Sequence, residues 1–339
     1  MLTKKQISEI REHLENAQRP IFFFDNDQDG LCSFLLLQRY LGRGKGVPVK
    51  SFPELIPDYF RKITELNADY VFILDKPVVS QEFFKMAREI NIPIVWIDHH
   101  PTQQKIPKFV NYYLGEEPVT ALCYEITQRK EDLWLAVIGC ISDKFFPSFY
   151  SEFKKKYPDL SVDTKNAFDV FYKSKIGRIT RILGFSLKDR ITNVINMLRF
   201  LIKAKTPYEI LEESNETYLM HKRFEHIDKK YQKLMQKAKE NVKKSDKILF
   251  FQYSGDLSIS SDLANELSYI FPKKTIVVIY VAGIKANISI RGKDVGKLIS
   301  KAVKGLKEAS GGGHKEAVGA QVRVEDLEKF KENFEKLVG

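Results

Sequence analysis

The chain has 339 residues, 43% of them apolar, which is enough for sizeable cores and excludes an intrinsically disordered protein. No apolar run is long enough to span a bilayer, and the charges scattered through residues 1–20 predict a short amphipathic helix instead of a signal peptide. The net charge of +11 favours a polyanionic partner such as nucleic acid, with a lysine-rich solvated surface as the alternative. Three widely spaced cysteines in apolar surroundings, Cys32, Cys123 and Cys140, indicate reduced thiols and a cytoplasmic protein.

Short apolar runs alternate with amphipathic segments over the first hundred residues. Strands are predicted at 20–25, 47–52, 70–75 and 92–100, and helices at 29–42, 57–67 and 80–91. This alternation predicts βαβ units that form a parallel sheet. The strand segments are apolar throughout, as expected where helices cover both faces of the sheet.

Helical patterns dominate the middle of the chain, and a second α/β segment begins near residue 247. Buried helices are predicted within 118–142, a mostly helical extension over 151–215, one long amphipathic helix at 216–244, and strands at 275–283 and 285–292. We therefore expect a first domain over 1–215, a linker helix over 216–246 and a smaller domain over 247–339.

Acidic residues and histidines follow three of the predicted strands. They are Asp25, Asp27 and Asp29 after the first strand, Asp75 after the third, and Asp98, His99 and His100 after the fourth. The carboxyl ends of parallel strands form the ligand crevice of an open sheet, so these side chains are expected to converge. Carboxylates that converge repel one another unless a divalent cation lies among them, and carboxylate with imidazole suits Mn²⁺.

Asp143 follows a buried helical segment and is a further candidate ligand. Two such ions a few ångströms apart clamp a phosphodiester and activate a water molecule. Taken singly, each acid is equally compatible with a helix cap or a turn, and the joint pattern favours the metal site.

A glycine run near the C-terminus is a candidate phosphate-binding loop. It consists of Gly311, Gly312 and Gly313, followed by His314. Consecutive glycines let backbone N–H groups approach a phosphate, and a flexible connector is the alternative. On the preceding strand Asn287, Ser289 and Arg291 alternate and share one face, which either binds a ligand or is solvated. Arg291 is the strongest candidate because a guanidinium group fits phosphate bidentately.

The order of these motifs resembles that of the DHH phosphoesterases with a C-terminal DHH-associated domain. The motifs are DNDQDG at 25–30, LDKP at 74–77, DHHP at 98–101, ISD at 141–143 and GGGH at 311–314. The first motif is most similar to RecJ-like archaeal exonucleases, including the Hef-associated nuclease type. The resemblance covers nearly the whole chain. It implies an α/β fold with a parallel-sheet DHH domain, a helical extension, a linker helix, a smaller C-terminal α/β domain and a basic cleft between the domains.

The resemblance also implies an activity and a role for individual residues. The implied activity is hydrolysis of single-stranded DNA or RNA by an Mn²⁺-dependent exonuclease of DNA repair or replication, with two ions and with Mg²⁺ as the other candidate metal. The implied metal ligands are Asp27, Asp29, Asp75 as a bridge, His99 and Asp143. His100 is expected to contact the scissile phosphate and Asp98 to orient its neighbours. The GGGH run and Arg291 are expected to bind substrate.

Two positions depart from the family pattern. Asp25 stands where a histidine is usual, and it retains the capacity to bind a metal. Pro77 stands where glycine is common, and Lys76 precedes it. Lys76 is expected either to be solvated or to neutralise a phosphate.

Two other functions remain open from the sequence. One is a phosphodiesterase for short oligoribonucleotides or cyclic dinucleotides, and the other is a RecJ-like scaffold subunit that lacks catalysis. Retention of nearly every ligand position argues against the scaffold. A replication or repair helicase is a candidate protein partner, and the sequence leaves open a homo-oligomer, the polarity of cleavage and the choice between DNA and RNA.

Overall fold

The computed structural model describes residues 1–51, 53–243 and 245–338. The last residues of the predicted strand at 47–52 and of the predicted helix at 216–244, Phe52 and Lys244, therefore lie outside the described residues. The chain divides into two compact units, Met1–Phe224 and Glu225–Gly339. Each unit has its own sheet and its own hydrophobic core. Within the described residues, no helix combines the length and apolar character that a membrane crossing requires.

The first unit is built on a five-stranded, fully parallel sheet in the order β2-β1-β4-β6-β7. Its strands are β1 (Pro20–Asp25), β2 (Lys45–Val49), β4 (Tyr70–Leu74), β6 (Ile94–Asp98) and β7 (Val110–Leu114). A small separate sheet pairs β3 (Glu54–Leu55) with β5 (Val78–Val79) in parallel. The four predicted strands and the parallel sheet are confirmed, and β7 is an edge strand that sequence reasoning missed.

Helices cover both faces of this sheet. They are α1 (Lys4–Asn16), α2 (Gln28–Leu41), α3 (Arg61–Glu65), α4 (Gln81–Glu89), α5 (Val119–Thr127) and α6 (Leu133–Ser142). Phe23 belongs to a core with Phe83 of α4, whereas Phe24 stacks on Phe34 of α2 at 5.2 Å between ring centroids. Because successive strand residues face opposite sides, apolar helices on both faces explain why β1 carries no polar alternation.

A helical extension completes the first unit, and one long helix runs across the boundary between the units. The extension contains α7 (Tyr150–Lys156), α8 (Ala167–Lys173), α9 (Lys175–Leu187), α10 (Ile191–Lys203) and α11 (Tyr208–Leu211), and the long helix is α12 (Tyr218–Glu240). Of the apolar residues that predicted α12, Phe224, Ile227 and Tyr231 are buried, and Leu234 is half-buried.

The second unit contains a mixed five-stranded sheet in the order β11-β12-β10-β9-β8, in which only the β8–β9 pair is parallel. Its strands are β8 (Ile248–Ser254), β9 (Thr275–Ala282), β10 (Lys285–Arg291), β11 (Ser310–Gly313) and β12 (Ala317–Arg323). Its helices are α13 (Ser260–Ile270), α14 (Val295–Ala302) and α15 (Leu327–Val338). The glycine run therefore forms an edge strand and not a connector.

A buried ion pair between Arg39 and Asp132 joins distant segments of the first unit. Asp132 is fully buried, and the Nη2 atom of Arg39 in α2 lies 2.7 Å from its Oδ1. The Nη1 atom of Arg39 also donates to the carbonyls of Leu201 (2.9 Å) and Ala204 (2.6 Å), at the C-terminal end of α10. The more exposed Arg129 donates to the other carboxylate oxygen at 2.8 Å. One guanidinium group therefore joins α2, the segment before α6 and the end of α10.

Replacing Arg39 with methionine should strongly destabilise this unit, since it leaves the Asp132 carboxylate buried beside a single partner. We expect a loss of about 3–5 kcal/mol in the free energy of unfolding. Arg129→Met is the matched control, with an expected loss of about 1 kcal/mol because that side chain is 32% exposed. Urea denaturation followed by tryptophan fluorescence measures this unit alone, because both tryptophans, Trp96 and Trp134, belong to it. Equal losses in the two variants would contradict this account.

Candidate metal centre

The acids and histidines predicted at the strand ends converge at the carboxyl edge of the parallel sheet. Three groups of ligand atoms, each lying within 4.8 Å of one another, are formed by Asp75, His99 and His100, by Asp29, His99 and Asp143, and by Asp25, Asp27 and Asp75. His99 and Asp75 each belong to two groups, so the three groups form one continuous cluster. We refer to it as the acidic cluster.

Two of the carboxylates that follow β1 are held by helix N-termini. Asp27 is the N-cap of α2, and its side chain accepts a hydrogen bond from the Gly30 N–H at 3.0 Å. Asp29 is fully buried, and its two oxygens accept the N–H groups of Val119 and Thr120 at 2.9 Å each, at the start of α5. Helix N-termini carry partial positive charge, so they stabilise carboxylates in these positions.

Gln28 and Gly30, on either side of Asp29, also have defined contacts, which sequence reasoning missed. The side-chain amide of Gln28 donates to the Thr180 carbonyl of α9 at 3.1 Å. Gly30 is required by close approach, because a Cβ atom there would lie 2.4 Å from the Asp25 carbonyl oxygen. The motif at 25–30 therefore combines metal-ligand candidates with contacts that fix the loop to α9.

Asp75 lies at the centre of the acidic cluster on a strained backbone. Its φ of 58° is in the left-handed region that few residues other than glycine, asparagine and aspartate adopt. Its N–H donates to the Ile97 carbonyl of β6 at 3.1 Å, which fixes this conformation at the end of β4. Non-glycine residues with this backbone concentrate at functional sites.

The Asp98-His99-His100 motif places one buried acid behind two imidazole rings. Asp98 is fully buried, and its Oδ1 accepts the His99 N–H at 2.8 Å and the Nδ1 of His100 at 2.9 Å. The Nε2 atom of His99 lies 3.3 Å from Asp75 Oδ1 and 3.4 Å from Asp143 Oδ2. Asp98 thus contacts both histidines of the motif, and His99 faces the other carboxylates.

The charges of the cluster perturb one another. Burial and the neighbouring carboxylates together raise the pKa of Asp27, Asp29 and Asp143 to about 7, and the pKa of Asp75 well above its usual value. Burial lowers the pKa of His100, but the hydrogen bond and charge of Asp98, with Asp143, raise it overall. Carboxylates forced together in this way are stabilised in their charged form by a divalent cation.

The donor set fits such a cation. The Oδ1 atom of Asp75 is buried and accepts no hydrogen bond from the residues that the structure describes, although His99 Nε2 lies 3.3 Å and His100 Nδ1 3.7 Å from it. Carboxylate oxygens with one or two imidazoles suit several divalent cations, Mn²⁺ among them, and all three cysteines are buried and free, outside the groups of ligand atoms.

Lys76 corrects one expectation. Its side chain is fully buried, so it is neither solvated nor exposed to a phosphate. Its Nζ donates to Asp25 Oδ1 at 2.8 Å and to the Ser51 carbonyl at 2.7 Å. Asp25, the first departure from the family pattern, is therefore ion-paired with Lys76, which precedes the second departure at Pro77.

In the second unit, the residues predicted to bind substrate lie on β10, β11 and the loop that follows. Ser289 is buried and bonds Ser260 of α13 at 2.9 Å, and Asn287 accepts from Gln321 at 2.8 Å. The Nε atom of Arg291 donates to Asn265 Oδ1 of α13 at 2.6 Å. Sequence reasoning missed these partners, and the substrate-binding role of this face stays a prediction.

The glycine strand β11 is exposed along its whole length. Gly313 has a φ of 138°, which favours glycine, and leads into a turn where the His314 N–H donates to the Ala317 carbonyl at 2.9 Å. A Cβ atom at Gly296 would lie 2.8 Å from the His314 carbonyl oxygen, so the start of α14 packs directly on this turn. The side chain of His314 is exposed beside the glycines.

Comparison with known proteins agrees with this geometry. Residues 21–134 match the DHH family N-terminal domain and residues 246–339 match the DHHA1 domain. No curated protein sequence matches the chain.

Solved structures share the fold over at least 98% of this chain at low sequence identity. An exonuclease RecJ bound to manganese is 17% identical, with 93% of that chain covered and a TM-score of 0.65. RecJ from Thermus thermophilus in complex with Mn²⁺ is 16% identical, with 54% of that chain covered and a TM-score of 0.68. An exopolyphosphatase-related protein from Bacteroides fragilis is 14% identical, with 98% of that chain covered and a TM-score of 0.54.

Asp75→Asn should stabilise the metal-free protein, because the buried Asp75 must either carry a charge that its neighbours repel or take up a proton, and asparagine does neither while it tolerates the left-handed backbone. We expect the midpoint of thermal unfolding in EDTA to rise by roughly 3 °C or more, equivalent to about 1 kcal/mol. The increase that Mn²⁺ produces in the wild type should disappear. Asp163→Asn, at a 92% exposed carboxylate, is the control and should alter neither value. A lower midpoint for Asp75→Asn in EDTA would contradict the repulsion.

Proposed function

Since the chain belongs to the DHH phosphoesterase family, with a DHH N-terminal domain and a DHHA1 domain, we propose that it is an Mn²⁺-dependent exonuclease of single-stranded nucleic acid that acts in DNA repair or replication. The observation that carries this proposal is the acidic cluster, in which ligand atoms from three strand ends and one helix end form groups within 4.8 Å. The basic net charge of +11 favours a long polyanionic substrate.

The residues that would hold metal are Asp25, Asp27, Asp29, Asp75, His99 and Asp143, with Asp75 between the two ends of the cluster. Two divalent ions bound there supply an activated water and neutralise charge during phosphodiester hydrolysis. The protein's contribution is to keep these carboxylates ionised and fixed, through the two helix N-termini and the left-handed backbone at Asp75.

His100 is the group that we assign to the scissile phosphate. Its Nδ1 is held by Asp98, so Nε2 is the ring atom that donates to a phosphate oxygen. The raised pKa of His100 favours the charged imidazolium, which strengthens a hydrogen bond to an anion. Asp98 itself is fully buried and acts through His100 as a positioning residue.

The second unit would grip the substrate. Gly311, Gly312 and Gly313 lie on an exposed edge strand, and the backbone N–H groups on the unpaired side of that strand suit phosphate, with His314 beside them. Arg291 presents its guanidinium group from β10, oriented by Asn265. Asn287 lies on the same strand face and extends the proposed surface, whereas Ser289, which was also predicted to bind substrate, is buried against Ser260 and supports the strand from beneath.

Digestion of end-labelled strands tests the function. Single-stranded DNA and RNA of the same sequence, a duplex and a dinucleotide are incubated with the protein and Mn²⁺. We expect progressive shortening of the single strands, and a rate at least about 10³-fold lower for Asp75→Asn, since that residue joins both ends of the metal site. Asp163→Asn serves again as the matched control and should retain the wild-type rate.

The other outcomes are equally informative. Hydrolysis of the dinucleotide alone would replace the exonuclease by a phosphodiesterase for short substrates. Strand binding and Mn²⁺ binding without any hydrolysis would indicate a scaffold. Equal activity of Asp75→Asn and the wild type would refute the site assignment.

Arg291→Lys tests the proposed grip, because lysine keeps the charge but loses the bidentate fork and the contact with Asn265. We expect KM for single-stranded DNA to rise by roughly tenfold, equivalent to about 1.4 kcal/mol, while kcat and Mn²⁺ affinity stay unchanged. Lys285→Arg, at an exposed position of the same strand, is the control. An unchanged KM for Arg291→Lys would remove this residue from the substrate-binding surface.

A further inference from the structure

The ammonium group of Lys76 is buried next to the acidic cluster and contacts one of its members, Asp25. Its side chain is fully buried, and its Nζ lies 2.8 Å from Asp25 Oδ1. The Ser51 carbonyl accepts a second hydrogen bond at 2.7 Å, and the Trp96 indole holds the Lys76 backbone carbonyl at 3.0 Å. A buried ammonium is costly unless it is paired and hydrogen-bonded, and here both conditions are met. Lys76 is therefore a fixed part of the site.

The position of this charge makes the two ends of the cluster different. Asp25, Asp27 and Asp75 form one end of the cluster. One of these three carboxylates, Asp25, is already paired with the Lys76 ammonium group. The other end, formed by Asp29, His99 and Asp143, has Lys144 next to it in sequence. The Nζ of Lys144 donates to the Ser142 carbonyl at 2.7 Å and lies 3.9 Å from the Phe171 ring centroid, and its charge partly offsets the rise that burial causes in the pKa of Asp143. Lys76 differs from it in being fully buried and in direct contact with a carboxylate oxygen of its own end, Asp25 Oδ1.

We propose that Lys76 makes the two metal positions unequal: the Asp29–His99–Asp143 end binds Mn²⁺ tightly, and the Asp25–Asp27–Asp75 end binds a second ion weakly. The physical cause is that the ammonium group engages an oxygen of Asp25 and repels a divalent ion at close range. The inference rests on the proposed metal centre and adds to it an order of loading. Lys76 is a specificity-determining residue for metal occupancy and makes no contact with substrate.

Metal titration of a Lys76→Met variant tests this order, because methionine keeps the length of the side chain without its charge. Bound Mn²⁺ is counted by electron paramagnetic resonance of the free ion and by titration calorimetry, so no enzymatic activity is needed. In the wild type we expect two Kd values that differ by at least about tenfold. In Lys76→Met the weaker Kd should fall by at least about tenfold, since a unit positive charge beside a divalent ion has been removed.

Two further variants complete the design. Lys50→Met changes a solvent-exposed lysine that directly follows β2, and it should leave both Kd values as in the wild type. The double variant Asp25→Asn/Lys76→Met carries neither charge of the buried ion pair. It therefore provides the measurement if Lys76→Met, which leaves Asp25 without its ammonium partner, does not fold without metal. In the double variant the second ion should bind within about threefold of wild-type affinity, because the two substitutions remove the negative charge of Asp25 and the positive charge of Lys76 together.

The outcomes separate the two proposals. Absence of any Mn²⁺ binding to the wild type would refute the metal centre itself. Two ions with unchanged Kd values in Lys76→Met would refute only the role of Lys76. Loss of the second ion in the double variant would also overturn it, since Asp25 would then be an ordinary ligand.

Discussion

Repulsion among the carboxylates at one edge of the parallel sheet is the constraint on which the rest of the first unit depends. Strand order brings Asp25, Asp27, Asp29 and Asp75 within range of one another, and the end of α6 adds Asp143. The fold offsets the repulsion locally, through the N-termini of α2 and α5 and through Lys76. The rigid surroundings keep the groups from moving apart, and that rigidity comes from the apolar cores on both sheet faces.

The two units divide the chemistry between them. Charged ligands belong to a parallel sheet whose strand ends converge, whereas the residues proposed to grip phosphate belong to an antiparallel region with an exposed glycine edge. In the first unit the proposed chemistry depends on precise side-chain placement, and in the second the backbone is the proposed recognition element. This division explains why acids at strand ends and glycines in a run were the two informative patterns in the sequence.

Much of the fold and of the cluster could be predicted because both depend on short-range pattern. Apolar runs that end in acid indicated β1, β4 and β6 and placed their ends together. What the sequence did not reveal depends on contacts between distant segments. The pairing of Lys76 with Asp25, of Gln28 with Thr180 and of Arg291 with Asn265 joins residues with no shared periodicity. Strand β7 was missed because its edge position leaves Asn111 and Tyr112 half-exposed, so its apolar run is broken.

The ion pair between Asp25 and Lys76 also bears on how this lineage can change. Loss of either charge alone leaves the other charge buried without a counter-ion. A protein that carries only one of the two substitutions is therefore destabilised. The two positions are 51 residues apart, yet they are expected to be inherited or replaced as one unit. Relatives that keep aspartate at the first position should keep lysine at the second, and relatives with a neutral side chain at one should have abandoned the charge at the other.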